Sequence, residues 1–141
     1  MRYFLDTNIL VFMATNDMDS VSIDTRSILV DYANILYTST VCVHELIHLF
    51  QIGKIAPRTG NNLTDIEQFA KWLDLMGINI VPINVRHLEE YASLPIIGDH
   101  RDPNDRLIIA QAISDRIPLI SSDRKFARYE KYGLDLIFND R

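Results

Sequence analysis

Cysteine is nearly absent from this chain: Cys42 stands alone, so no disulfide can close within it, and the small secreted scaffolds that depend on disulfides are excluded. That usage fits a reducing compartment. Long apolar runs are lacking too, and none approaches the roughly 18 residues that a membrane-spanning helix needs. Met1 to Leu5 read as a strand and reach Asp6 at once, unlike the basic and then apolar layout of a signal peptide. The expectation is a soluble, cytoplasmic protein without a membrane association. Positive charge is also in short supply. The formal net charge of −5 argues against the extended basic surface that nucleic-acid binding usually demands. It leaves open a small active site on nucleic acid, because acidic metal ligands lower the formal charge and their cation restores it locally. Low-complexity tracts and internal repeats are missing as well.

What remains is an ordinary globular composition, 48% hydrophobic and 23% charged over 141 residues, which suits one domain spanning 1–141 with a single core. Helix and strand signals alternate along it. A first strand to Leu5 precedes a short helix from Thr7 to Ala14, and Ser22 through Ala33 carries Ile28, Leu29, Tyr32 and Ala33 at helical spacing. Ile35 to Thr38 reads as a strand, and Thr40 to Ile52 as a buried helix stopped by Gly53. The stretch from Lys54 to Asn62 is punctuated by Pro, Gly and Asn and reads as a surface loop.

Thr64-Asp65-Ile66-Glu67 is a capping-box pattern opening an apolar stripe that Gly77 ends. A strand from Ile78 to Ile83 follows, then a helix capped by Asn84 and running to about Leu94. Asp102 with Pro103 starts the next helix, Leu119-Ile120 is a strand, Asp123 to Tyr132 a helix, and Leu134 to Phe138 a last strand. Strands separated by helices imply right-handed crossovers, hence a parallel sheet of four or five strands covered by helices on both faces. Periodicity does not give the strand order.

Several of these elements meet at an aspartate. Tyr3-Phe4-Leu5 runs into Asp6-Thr7-Asn8, Pro118-Leu119-Ile120 into Ser121-Ser122-Asp123, and Asp102-Pro103-Asn104-Asp105 opens an apolar helix. Each aspartate taken singly is a reasonable helix cap or first-turn residue. Taken together they exceed that need, since Thr7 or Ser122 would cap without a charge. In a parallel sheet Asp6, Asp105 and Asp123 reach the edge where open α/β folds place ligand sites. Like charges gathered there repel, and a divalent cation between them relieves the repulsion.

Glu45 is a fourth candidate, on a helix rich in Val41, Val43, Leu46, Ile47, Leu49 and Phe50. It either faces solvent on an amphipathic helix or needs a partner, because an unpaired buried charge is costly. It also sits inside His44-Glu45-Leu46-Ile47-His48, which matches the H-E-x-x-H pattern of zinc metalloproteases. That reading needs a third ligand downstream. Only His87 and His100 remain as histidines, neither at a metzincin spacing, and alternating strands and helices do not suit a zincin. A zinc metalloprotease through His44, Glu45 and His48 is therefore the remote alternative.

The ordered series Leu5-Asp6-Thr7-Asn8, a mid-chain helix with Glu45, Asp102-Pro103-Asn104-Asp105-Arg106-Leu107-Ile108-Ile109-Ala110-Gln111-Ala112 and Ser121-Ser122-Asp123-Arg124-Lys125-Phe126 resembles PIN-domain ribonucleases, specifically the VapC-type toxins of bacterial toxin–antitoxin pairs. The resemblance covers essentially the whole chain. It implies a PIN-like three-layer α/β/α sandwich and a metal-dependent endoribonuclease. Asp6, Glu45, Asp105 and Asp123 would form an acidic metal site, with Asp102 as accessory or cap and Asn8 and Ser121 steadying it. Magnesium or manganese suits such an all-oxygen set better than zinc.

Arg101, Arg106, Arg124 and Lys125 are candidates for RNA phosphates, against an ordinary role as solvated charge. The resemblance further implies an RNA substrate, a homodimer and a small VapB-like antitoxin whose segment blocks the active site. The apolar helix of Val41 to Phe50 and the exposed-looking Tyr91 and Tyr129 offer surfaces for such partners. Asn104 stands where the family often has an aromatic, and Ser121-Ser122 where a threonine is common. A PIN-like scaffold that binds RNA or protein without cleaving it is the alternative of a different class.

Overall fold

The computed structural model describes residues 1–56, 66–99 and 102–140. Residues 57–62 of the expected loop, the cap at Thr64 and Asp65, and His100 and Arg101 lie outside the described residues. Five strands form one sheet: β1 (Arg2–Leu5), β2 (Ile35–Ser39), β3 (Ile78–Val81), β4 (Leu119–Ser121) and β5 (Leu136–Phe138). Every pairing is parallel and the order is β3-β2-β1-β4-β5. The helices between them are α1 (Thr7–Ala14), α2 (Ile23–Val30), α3 (Thr40–Gln51), α4 (Ile66–Leu75), α5 (Val85–Ser93) and α6 (Pro103–Asp115), with 3-10 segments at Met18–Ser20 and Arg124–Tyr132. This is the three-layer α/β/α arrangement expected from the sequence.

The winding explains where the strand ends gather. The chain runs outward from β1 to β2 and β3, then returns to lay β4 against the other side of β1. The sheet therefore reverses direction between β1 and β4, and the crevice beyond their C-terminal ends is the natural ligand position of such folds. Both strands are apolar and buried (Phe4, Leu5, Leu119 and Ile120), as strands covered on two faces must be. Leu5 pairs with Thr38 and Ile120, so Asp6 and Ser121 follow at one level.

Local chemistry accounts for the departures from expectation. The helix expected to reach Ala33 stops at Val30, because the Asp31 carboxylate accepts the Ala33 N–H at 2.9 Å and turns the chain, leaving Tyr32 fully exposed. The strand expected to reach Ile83 ends at Val81, just before Pro82, which has no N–H for the ladder. The helix expected from Asp123 is a 3-10 helix. Its inward residues Phe126 and Tyr129 are three apart, which suits three residues per turn. It ends at Gly133 with φ +106°, a conformation open to glycine. Tyr129, expected at the surface, is wholly buried, and its hydroxyl donates to the Pro95 carbonyl at 3.1 Å. Tyr91 is half-buried.

Two contacts fasten α6, the helix that carries Asp105, to α5. Near its start the Arg106 guanidinium donates to the Tyr91 hydroxyl at 2.8 Å and lies 4.7 Å from the Tyr91 ring centre. At its end Asp115 meets Nε2 of the wholly buried His87 at 2.9 Å. His87 Nδ1 accepts the Asn84 N–H at 3.1 Å, which puts the ring proton on Nε2, donated to Asp115. Between these ends Ile108, Ile109, Ala110 and Ala112 fill the core. Ile109→Ala is expected to lower unfolding stability by about 2–5 kcal/mol in urea denaturation, since Ile109 is wholly buried.

Candidate active site

Asp6 ends β1 and begins α1. Its Oδ1 accepts the Thr7 N–H at 2.7 Å, and its Oδ2 accepts the Ser121 hydroxyl at 2.7 Å and the Asn8 amide at 3.1 Å. Burial alone would make a carboxylate this enclosed hard to ionise; the donors oppose that, and the result is a carboxyl pushed up to about 6. Ser121 Oγ also accepts the Asp123 N–H at 3.1 Å and Asn8 Nδ2 at 3.3 Å. The ends of β1 and β4 are thereby joined through one hydroxyl.

Glu45 comes from α3, whose start is fixed by Ser39 accepting the Val41 N–H at 3.1 Å. Cys42, Val43, Leu46 and Phe50 turn into the core, while His44 and His48 are exposed and Glu45 is half-buried. The Thr7 hydroxyl donates to Glu45 Oε2 at 2.9 Å, and Asn104 bonds the same carboxylate. Glu45 thus has neutral partners that its own helix does not supply. Its carboxyl is nonetheless raised, first by burial and further by Asp102.

Asp105 lies in the first turn of α6, beyond the cap made by Asp102 accepting the Asn104 N–H at 2.9 Å. Its carboxyl is pushed up to about 8, first by burial and then by Asp6, Asp102, Glu45 and Asp123. Asp123 caps the 3-10 helix by accepting the Lys125 N–H at 2.9 Å. Asp6, Glu45, Asp105 and Asp123 line one open pocket of about 280 Å³, together with Thr7, Asn8, Val11, Phe12 and Leu49. The structure therefore brings together the four carboxylates singled out in the sequence, with Asn8 at the rim and Ser121 beneath.

Among the described residues, no three His, Cys, Asp or Glu side chains converge as a ready-made metal cage. Zinc sites are built from close, direct protein ligands, so nothing in the described residues favours zinc. A hard divalent cation that keeps several of its waters needs only one or two direct carboxylates, so the acidic lining of this pocket suits a hydrated divalent cation. Asp6 and Asp123 would hold it from the strand ends, Glu45 and Asp105 from the helices. His44 and His48 are exposed and join no group of three ligands among the described residues, and His87 is occupied by Asn84 and Asp115.

The basic candidates divide. Arg106 is only 8% exposed and tied to Tyr91, so it is not available to a substrate phosphate as expected; packing of α5 on α6 claims it instead. Lys125 bonds Asp99 at 2.9 Å alongside Arg128 at 2.8 Å, and those two cations hold the Asp99 carboxyl well below the usual range. Arg124 is exposed and lies over the Phe138 ring at 4.7 Å. Cys42 lies below the site beside Thr7 and Thr38; burial pushes its thiol up to about 12, which makes it no nucleophile near neutrality. Sequence reasoning missed Thr7 and Asn104 as partners of Glu45, and Asn139, whose amide bonds Ser122 at 2.8 Å. A short polar residue beside an acidic one was the available signal for the first two.

A family model described as "PIN domain" matches residues 3–132. Among solved structures, VapBC2 from Rickettsia felis, bound to a DNA fragment from the promoter, shares 23% identity at a TM-score of 0.68, over 99% of this chain and 100% of that one. VapBC-1 from nontypeable Haemophilus influenzae shares 23% at 0.63, over 98% of each chain. DNA-bound VapBC from Salmonella typhimurium shares 15% at 0.65, over 99% of each. No curated protein matches the sequence significantly. At such identities the structures speak for the fold, while the family match spans nearly the whole chain: the protein belongs to the PIN domain family.

Proposed function

We propose that the chain, acting as one PIN domain over 1–141, is a metal-dependent endoribonuclease and the VapC-type toxin of a toxin–antitoxin pair. The observation that carries this reading is the pocket at the β1–β4 switch, where Asp105 is pushed up to about 8 by burial and by the carboxylates around it. Such a site favours whatever brings positive charge, and a polyanionic substrate reaches it only with a cation in place. Mg²⁺ or Mn²⁺ when bound lowers the pKa of a water and stabilises charge on the scissile phosphate. The chain's own residues do the positioning: Ser121, Asn8 and the Thr7 N–H fix Asp6, and the Thr7 hydroxyl and Asn104 aim Glu45.

Arg124 is the exposed cation nearest in sequence to Asp123 and the best remaining candidate for an RNA phosphate. A VapB-like antitoxin, a homodimer and a cytoplasmic location belong to the same proposal. The likeness to VapBC complexes supports them, and among the described residues no helix is long and apolar enough to cross a membrane.

Asp105→Asn is expected to keep the fold and to lower Mn²⁺-dependent RNA cleavage by more than the roughly 10–100-fold typical of a residue that merely supports a metal ligand. Full activity of that variant in a gel assay would refute the nuclease reading. Glu45→Gln is expected to behave alike, whereas replacing His44 and His48 together leaves cleavage intact and no zinc-dependent peptidase activity appears.

The carboxyl shifts also set a pH dependence for the metal-free protein. Asp105 retains its proton in the fold up to about pH 8, while the unfolded chain releases it near pH 4, so the folded state binds more protons between those values. Stability must then fall as pH rises through that window, and Asp6 adds to the fall up to about 6. Thermal melts in a chelator are expected to show this decline, and Asp105→Asn or added Mn²⁺ to flatten it.

A further inference from the structure

The chain's penultimate described residue is buried polar. Asn139 is 1% exposed and every polar group of its side chain is engaged. Its Oδ1 accepts the Ser22 N–H at 2.8 Å, and Nδ2 donates to the Ser20 carbonyl at 2.8 Å and to Ser122 Oγ at 2.8 Å. Ser22 N–H can only donate and Ser20 C=O only accept, so the amide has one orientation. Its backbone N–H adds a fourth bond, to the Ser121 carbonyl at 2.8 Å. Asn139 therefore grips Ser121 and Ser122 from the main chain and the side chain at once.

Those two serines lead into the site. The Ser122 N–H donates to Asn8 Oδ1 at 3.2 Å, which fixes the Asn8 amide so that its Nδ2 meets Asp6 and Ser121. Ser121 Oγ donates to Asp6 and receives the Asp123 N–H. The 121–123 segment thus bonds the Asp6 carboxylate and fixes the backbone of Asp123, and its far side is held by the residue that follows the neighbouring edge strand β5. On the nuclease reading above, on which this rests, we propose that Asn139 is a positioning residue: it clamps the Ser121–Asp123 turn so that Asp6 and Asp123 meet the cation at a fixed separation.

Three variants test this. Ser122→Ala removes the side-chain bond between Asn139 and the turn, Asn139→Ala removes all three side-chain bonds while its backbone N–H still holds the Ser121 carbonyl, and Ile78→Ala opens a cavity on β3, at the opposite edge of the sheet from β5, as a stability control. Each is read by Mn²⁺ titration calorimetry well below its melting temperature, by the melt itself, and by kcat and KM on RNA. Ser122→Ala is expected to melt near wild type yet bind Mn²⁺ roughly 10-fold more weakly, the scale set by partners that orient metal ligands. Asn139→Ala is expected to show at least that loss with a lower melt, the deficit falling on kcat rather than KM. Ile78→Ala is expected to melt lower with wild-type affinity. Unchanged Mn²⁺ affinity in Ser122→Ala and Asn139→Ala, or an equal loss in Ile78→Ala, overturns the clamp while the nuclease reading stands. A wild-type protein that binds no Mn²⁺ and cleaves no RNA overturns both.

Discussion

The structure turns on a carboxylate in the wrong solvent. Asp6 is 3% exposed at the end of the central strand, where an ion without partners would be untenable. Three donors from three residues make it tolerable, and two of them, Asn8 and Ser121, belong to different arms of the fold. The Ser121 bond cannot form unless β4 lies beside β1 in this register, and β4 comes more than a hundred residues later. Placing β4 beside β1 is thus the same event as solvating Asp6. The core supplies the energy through Phe4, Leu5, Leu119 and Ile120, and Asp6 restricts which arrangement of that core is acceptable.

A second constraint acts on α6. Charge gathered near its start, from Asp102 and Asp105, favours the helix dipole but repels Glu45 and Asp6 across the pocket. The helix does not swing away because α5 holds it at both ends, through Tyr91 at Arg106 and His87 at Asp115. Arg106 serves this purpose with its cationic face on an aromatic ring, which explains why a basic residue next to the site is turned from it. His87 does double duty, capping its own helix and bonding the neighbouring one, and so is unavailable as a zinc ligand.

What the sequence made legible was local. Strand ends, helix starts and the capping aspartates follow from spacing over a few residues, and the parallel sandwich follows from their alternation. The carboxylate cluster was legible because topology, not contact, brings strand ends together. The long-range partners were not legible. Nothing near Arg106 in sequence announces Tyr91, nothing near Tyr129 announces Pro95, and nothing near Ser122 announces Asn139; these bonds join segments 15 to 34 residues apart. The strand order was hidden for the same reason, since the sequence of β4 is compatible with either neighbour of β1. The 3-10 helix was legible only in hindsight, as apolar residues three apart where an α-helix would also use four.

The choice between helix cap and metal ligand, posed by the sequence as a contest, dissolves in the geometry. Asp6, Asp102 and Asp123 each spend one oxygen on a backbone N–H two residues or fewer ahead. An ionised carboxylate has about four acceptor sites, so capping takes only one of them, and Asp6 gives two more to Ser121 and Asn8. Asparagine caps a helix as well as aspartate does, so capping alone never requires the charge. The charge is what burial and mutual repulsion make unfavourable at Asp6 and Asp105, and a sequence that places ionisable carboxyls at four positions around one pocket places them against those forces. That excess of charge over the structural need, rather than the presence of any one aspartate, is what makes a cation the natural complement of the site.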